Sequence, residues 1–345
     1  MANESRLDFM EIAERRKKLF EGEEFESALF CSGESRENLN PNFFYFSSCA
    51  FDGAYLLLKK NSGLILTHRM NYQYAKNHSH YPVKIISKRW LKKLGKDLGK
   101  KLGISAKEIN FKMANIIRKE TGLKLIDLDE KAYKIRSQKS AEEISFIKKA
   151  VGITKKILNE LDPWESKTES ELADKLKISA LQKGAEIAFQ PIVASGKNTV
   201  YPHHIPSNKK LGDLVLIDFG IRYKGYCSDI TRCYFRRRNT DEEKTYLKCQ
   251  EVFWKIFEML DECEKSKDIA ILAEKAMKEK RLPPLIHSIG HGVGLEIHEY
   301  PRIGKKSEDR LADGTVIALE PAAYLRNYGV RFENTVVNQN GWRIL

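Results

Sequence analysis

The sequence predicts a two-domain α+β protein, with a smaller α/β domain over residues 1–139 and a larger domain over residues 140–345. Three observations predict it. The chain has 345 residues, where one domain holds roughly 100 to 200. Ser140 with Glu143 is a capping-box pattern, and Ile144, Ile147, Val151, Leu158 and Leu161 then recur near helical spacing, so a long helix opens a new unit there. Beyond it, strand-like and helical segments come in two rounds, each containing an antiparallel hairpin with acids in both arms.

In the first domain, FESALF, NFFYFSS, GAYLLLKK, SGLILTH and YPVKIIS have the short apolar runs of strands, and Asn61-Ser62-Gly63 reads as a tight turn between two of them. Helical spacing places helices at about 6–20, 89–102 and 113–121. In the second domain, Thr168 with Glu171 caps a helix through Leu172, Leu176 and Ala180, for which Gly184 is the stop. PIVASG, DLVLIDFG and CSDITRCYF follow as strands, then helices near 241–260 and 266–279, then GTVIALEPAAY and GVRFENTVVN. The sequence shows no low-complexity tract and no short-period repeat.

Composition excludes several classes. Hydrophobic residues make up 42% and charged residues 31%, and no apolar stretch approaches the roughly 20 residues of a membrane span. The first twenty residues mix acids and bases and lack the apolar core of a signal peptide, which points to a cytoplasmic protein. Six cysteines are scattered with no C-x-x-C pair, so neither a disulfide scaffold nor a thiolate zinc site is indicated. The net charge of +13 is local: residues 53–119 carry 16 basic and 2 acidic side chains. The lysine-rich stretch LKKLGKDLGKKLG reads as a solvated helix face, and no recognised nucleic-acid module accompanies it, so nucleic acid is not an expected partner.

The chemistry concentrates in the two hairpins. In VLIDFGIRYKGYCSDITRCYF the turn Tyr223-Lys224-Gly225 lies near the midpoint between Asp218 and Asp229, which places the two acids nearly opposite. Carboxylates so paired repel unless one is protonated or a cation lies between them. Glu320 and Glu333 flank Asn327-Tyr328-Gly329 in the same way, and Asp218 and Glu320 each end a strongly apolar run, where an unpaired charge is costly. Five of the eight histidines (His203, His204, His287, His291 and His298) fall in this domain within one 96-residue window. His287 and His291 have the spacing of a helical zinc motif, but the glycines at 290, 292 and 294 argue against a helix and no H-E-x-x-H is present. Nor is the glycine spacing that of a phosphate loop.

Across residues 140–337, VASGKNTVYPHH, DFG, GYCSDITR, HSIGHGVGLEIHE, LEPAAY and GVRFENTVV resemble, in order and at compatible intervals, the pita-bread metallopeptidases: Xaa-Pro aminopeptidases, prolidases and methionine aminopeptidases. The resemblance implies a C-terminal pita-bread (creatinase/aminopeptidase-like) domain, preceded by the α/β domain of the Xaa-Pro branch. It implies metal ligands at Asp218, Asp229, His291, Glu320 and Glu333, and substrate or proton-transfer roles for His203, His287 and His298, with Arg331 near the metals. His203 is preferred to His204 because of the proline before it. Two departures, Ala322 in place of a usual glycine and Asn334 in place of a common aspartate, remove no ligand.

Four carboxylates and one imidazole suit two divalent ions, manganese first, with cobalt, zinc or iron as alternatives. Such pairs lie about 3.5 to 4 Å apart, share a hydroxide and polarise the carbonyl under attack. Glu320 would accept its proton, His298 and His287 would serve the oxyanion or leaving group, and Arg331, two residues before Glu333 on a strand, would orient that carboxylate. Phe189, Tyr201 and Tyr324 are apolar candidates to cradle a proline ring. Arg302, four residues beyond His298, is a candidate grip for a dipeptide's carboxylate, as arginine stands in this context in similar archaeal prolidases. The expected substrates are proline-containing dipeptides or short peptides, cleaved before proline, and the expected assembly is a homodimer. The alternatives are a methionine aminopeptidase, which the extra domain opposes, and a metal-free creatinase-like hydrolase or a non-catalytic binding protein, which the five intact ligands oppose.

Overall fold

The structure is a computed structural model in which residues 9–33, 40–95 and 97–345 are described. They fall into two compact units, Met1–Arg136 and Ser137–Leu345. Among the described residues no helix is long and apolar enough to cross a membrane.

The first unit is built on a six-stranded sheet, in the order Val83–Ile85, Ser62–Thr67, Ala54–Lys59, Ser27–Cys31, Lys101–Ile104 and Lys124–Asp127. The three strands from Ser27–Cys31 to Ser62–Thr67 pair antiparallel and the outer ones add in parallel. Lys59 pairs with Ser62, so the turn is Lys60-Asn61 rather than Asn61-Ser62-Gly63, and Gly63 lies in the strand. Two other expectations fail here. NFFYFSS is not a strand but part of a helix, Pro41–Ser47. Pro41 fixes the helical φ at its start, and the aromatic residues that suggested a strand bury Phe43, Tyr45 and Phe46 on one side instead. The helix expected over 89–102 spans only Trp90–Gly95, and Lys101–Ile104 is a central strand. Gly99, at φ +83, takes a left-handed conformation between them that a helix does not hold. The helices Phe9–Phe20 and Phe111–Thr121 stand where the spacing put them, the start of the first lying outside the described residues. Lys84, Lys88, Arg89, Lys92, Lys93, Lys100, Lys112, Arg118 and Lys119 of the basic segment are exposed.

The second unit opens with helix Ala141–Asn159, whose capping box is formed: Glu143 N donates to Ser140 Oγ at 3.2 Å and Ser140 N donates to Glu143 Oε2 at 2.9 Å. Thr168 caps Glu169–Gln182, and helices Asp241–Glu258 and Ser266–Glu279 follow where expected. The last two helices bury Phe253, Ile256, Ile269 and Met277 against Ile317, Leu319 and Val336 of the sheets and Phe332 between two strands. One sheet orders Ile230–Phe235, Leu214–Phe219 and Ile192–Ser195, and a five-stranded sheet orders Glu299–Arg302, Gly290–Gly292, Val316–Leu319, Asn334–Asn338 and Trp342–Ile344.

The two acidic hairpins differ in register. In the second, Leu319 pairs with Asn334 and Ala322 with Arg331, one frame that sets Glu320 against Glu333. In the first, Asp218 pairs with Thr231, not with Asp229. Pairing runs on to Tyr223 with Tyr226, so the hairpin centre lies one residue later than the sequence midpoint between the acids. The resulting offset of two residues keeps Asp218 and Asp229 on one face of the ribbon.

Candidate active site

Each expected ligand sits where a strand ends or is interrupted. Asp218 lies near the end of Leu214–Phe219, Asp229 just before Ile230–Phe235, His291 inside Gly290–Gly292, Glu320 just after Val316–Leu319, and Glu333 between Gly329–Arg331 and Asn334–Asn338. The hairpins are joined beneath the acids. Glu333 N donates to Thr231 O at 3.3 Å, and Thr335 Oγ1 donates to Asp229 O at 2.9 Å. Arg232 donates to the carbonyls of both Thr231 and Glu333, at 2.9 and 2.6 Å.

Ligand atoms of Asp229, His291 and Glu333 lie within 4.8 Å of one another. His291 Nε2 stands 3.4 Å from Asp229 Oδ2 and 3.8 Å from Glu320 Oε1. The other ring nitrogen, Nδ1, is 3.2 Å from Gly292 O. That carbonyl accepts its proton and leaves Nε2 with a free lone pair, the tautomer a ligand needs. Burial, with His298 and Arg331 nearby, pushes the His291 imidazole down to about 3, so it is neutral at ordinary pH. Gly290 and Gly292, on either side, have no room for a side chain: an added Cβ would lie 2.0 Å from Ala318 O at the first and 2.3 Å from Tyr300 O at the second. The glycines serve close strand packing, which is why this segment is a strand and not a phosphate loop.

The electrostatics call for cations. Asp229 and Glu333 are buried and their carboxyls are pushed well up, Asp229 by burial first and then by Glu333, Asp218 and Glu320, and Glu333 by burial first and then by Asp218 and Glu320. Glu320 is pushed up to about 7 by burial, with Asp218 adding to the rise and Arg331 opposing it. Asp218 Oδ1 and Asp229 Oδ1 are buried without a hydrogen-bond partner among the described residues. Buried carboxylate oxygens left unpaired are costly, and oxygen-rich sets of this kind fit divalent ions. The residues therefore fit a divalent metal centre.

Arg331 is placed differently from expectation. Its Nη2 pairs with Asp218 Oδ2 at 2.6 Å, not with Glu333. It reaches Glu333 only through Thr231, whose Oγ1 accepts from Arg331 Nε at 3.0 Å and donates to Glu333 Oε2 at 2.6 Å. Arg331 Nη1 also donates to Tyr324 Oη at 2.8 Å and to Pro202 O at 3.3 Å. Tyr324 Oη in turn lies 3.1 Å from His287 Nε2, while His287 Nδ1 donates to Ser288 O at 2.6 Å. A continuous chain of polar contacts thus runs from His287 to Asp218. Thr231 and the hydroxyl of Tyr324 were not singled out from sequence for this role. The available signal was strand periodicity, since Thr231 follows Asp229 by two and Tyr324 follows Glu320 by four.

The remaining histidines line one edge. The His298 ring stands edge-on to His291 at 4.2 Å, and desolvation lowers its imidazole, with Asp218 opposing and His203 adding to the fall. His287 is lowered by burial, with Arg331 and His203 contributing. His203 is exposed. His204, its neighbour, is instead bound to Glu169 Oε2 at 2.8 Å. Arg302 pairs directly opposite His291 across the strands, which puts both side chains on one face. It is exposed, with its guanidinium 4.9 Å from the Tyr300 ring centre. Of the expected ring-cradling aromatics, Tyr201 is 61% exposed and Phe189 packs toward Gly220.

Comparison with known proteins bears on this arrangement. The profile of metallopeptidase family M24 matches residues 145–340, and that of the creatinase/prolidase N-terminal domain matches residues 13–138. An Xaa-Pro dipeptidase of Pyrococcus horikoshii is 33% identical over 325 residues, covering 88% of this chain and 89% of its own. The crystal structure of the prolidase from Pyrococcus horikoshii OT3 superposes with a TM-score of 0.83 at 29% identity, over 97% of both chains. That of an X-Pro aminopeptidase from Thermotoga maritima gives 0.83 at 27% identity, over 93% of this chain and 95% of its own.

Proposed function

This chain belongs to metallopeptidase family M24 and shares the pita-bread α+β fold of its Xaa-Pro branch, and from that premise we propose that it hydrolyses the peptide bond preceding proline. The observation that carries the reading is the cluster of Asp229, His291 and Glu333, with Glu320 3.8 Å from His291 and buried, unpartnered carboxylate oxygens on Asp218 and Asp229. The relatives named for Xaa-Pro cleavage support the substrate class.

In this reading those five residues hold two divalent ions, since four carboxylates with one neutral imidazole leave a charge that a single divalent ion does not balance. The ions would supply Lewis acidity toward the scissile carbonyl and an activated water. The protein does the rest. Glu320, beside His291, accepts the proton of the attacking water and passes it to the leaving proline nitrogen. His298, edge-on to His291, donates toward the developing oxyanion. His287, held by Ser288 O and Tyr324 Oη, and His203 at the exposed edge contact the substrate on the side of the leaving group. Arg331 fixes Asp218 directly and Glu333 through Thr231, so the carboxylates keep their places as charge moves.

The bond before proline carries no N–H, so recognition by backbone donors fails there and shape with metal ligation must replace it. Arg302, on the His291 face, favours dipeptides, whose terminal carboxylate a guanidinium can grip. The test is metal analysis of the purified protein combined with cleavage of Ala-Pro, Ala-Pro-Ala and Met-Ala-Ser. Cleavage of the first two, dependent on added manganese, cobalt, zinc or iron, is expected. Cleavage confined to Met-Ala-Ser would turn the reading toward a methionine aminopeptidase.

A further inference from the structure

Glu169 is fully buried at the start of helix Glu169–Gln182, yet its carboxylate lies in neither acidic hairpin and belongs to no ligand set. The chain from Ser195 to Ser207 is wrapped around it. Ser195 N and Asn198 Nδ2 reach Oε1 at 2.8 and 2.9 Å, while His204 Nε2 at 2.8 Å, Ser207 Oγ at 2.7 Å and Ser207 N at 3.2 Å reach Oε2. Burial alone would raise this carboxyl, but the donors from His204, Ser207, Asn198 and Ser195 hold it below its ordinary value. The group is a charged hub with its acceptor capacity filled.

The same loop is held from its other side. Thr199 Oγ1 accepts from Gly329 N at 2.8 Å, and Arg331 Nη1 donates to the carbonyl of Pro202 at 3.3 Å. His203 stands between two held neighbours, the Pro202 carbonyl that Arg331 holds and His204, which Glu169 holds. A loop residue becomes a precise substrate contact only where neighbours lock it, because misplacement of about 1 Å at a reacting centre can cost about 100-fold.

We propose that Glu169 and His204 form a buried positioning pair that fixes His203 at the mouth of the active site. This rests on the functional reading above, in which His203 contacts the substrate. Glu169 acts through His204 and the loop, not on the substrate.

The experiment uses metal-loaded protein carrying Glu169→Gln, His204→Ala or His204→Gln, each alone and combined with His203→Ala, assayed on Ala-Pro with bound metal measured in parallel. Amide hydrogen exchange is followed over residues 196–207 in each variant. Glu169→Gln and His204→Ala should lower kcat by about 10- to 100-fold with bound metal unchanged. His204→Gln, which keeps a nitrogen donor, should recover most of the loss. In the His203→Ala background the losses should vanish, because residues acting through one another are not additive. Exchange over 196–207 should quicken in Glu169→Gln and His204→Ala and not in His204→Gln. Additive losses in the His203→Ala background, or unchanged exchange over that segment, would overturn the proposal. If the wild type cleaves no proline peptide, the functional reading falls separately, and exchange over 196–207 still decides whether the pair holds the loop.

Discussion

Glu320 is set against Glu333 across the second hairpin because the two ladders on either side, Val316–Leu319 with Asn334–Val337 and Ala322–Tyr324 with Gly329–Arg331, share one pairing frame. Two carboxylates at opposed positions of a ribbon are held at a separation where their charges repel. Asp218 and Asp229 meet the same difficulty from a two-residue offset, and His291 approaches from a third strand.

Removing one of these acids should empty the centre. Asp229→Asn should lower metal content and kcat together by about tenfold or more, since even partners outside the ligand shell are commonly worth 10- to 100-fold. Inductively coupled plasma analysis and Ala-Pro hydrolysis measure the two. Full activity after exhaustive chelation would rule out a metal mechanism.

His298 touches His291 only through an edge-on ring contact. His298→Ala should therefore keep its metal and lose about 10²- to 10⁴-fold in kcat, the range of a lost proton-transfer or oxyanion group. Loss of an ion in this variant would place His298 among the ligands.

Arg302 shares a strand face with His291. A charge-assisted hydrogen bond to a terminal carboxylate is worth about 1.5 to 3 kcal/mol, so Arg302→Ala should lower kcat/KM on Ala-Pro by about 10- to 100-fold and leave Ala-Pro-Ala nearly unchanged. Undiminished dipeptide turnover would dispose of the grip.

Acid should expose the Glu169 hub. Its folded carboxyl titrates below the ordinary 4.5, so between the two values the unfolded chain binds the proton and the folded one does not. The stability it contributes is complete above pH 4.5 and is lost as pH falls through the depressed value. Urea titrations should show the wild type ahead of Glu169→Gln above pH 5 and converging on it in more acid solution. A gap that widens toward low pH would contradict this sign.

The basic residues of segment 53–119 stand largely in solvent. Exposed charge of this kind is screened at about 0.15 M salt, where the Debye length is about 8 Å. Gel-shift assays at that salt should detect no tight duplex or single-strand complex.

What could be read from sequence followed local rules. The Ser140 capping box and the helices after Thr168 and Thr240 are set by neighbours within a few residues, and ligand atoms of Asp229, His291 and Glu333 lie within 4.8 Å of one another, with Glu320 3.8 Å from His291. The misses are tertiary. Pro41–Ser47 looks like a strand until the first unit's core claims its aromatic residues, and Lys101–Ile104 is drawn from an expected helix into a parallel sheet. Arg331 was tied to Glu333 by strand spacing, but the pairing that decides its partner comes from the other hairpin, where Thr231 lies opposite Asp218. Glu169 carried no sign of its role, because its donors come from a loop 26 to 38 residues away.

The two glycines around His291 also set the terms on which this centre could be redesigned. With Ala318 O and Tyr300 O closed over them, neither glycine can be given a side chain to carry a ligand elsewhere. A change of metal preference at this position must come from exchanging the imidazole itself for another donor of similar reach, such as His291→Asp or His291→Cys. The flanks are closed to engineering, and the single side chain between them is the one adjustable part.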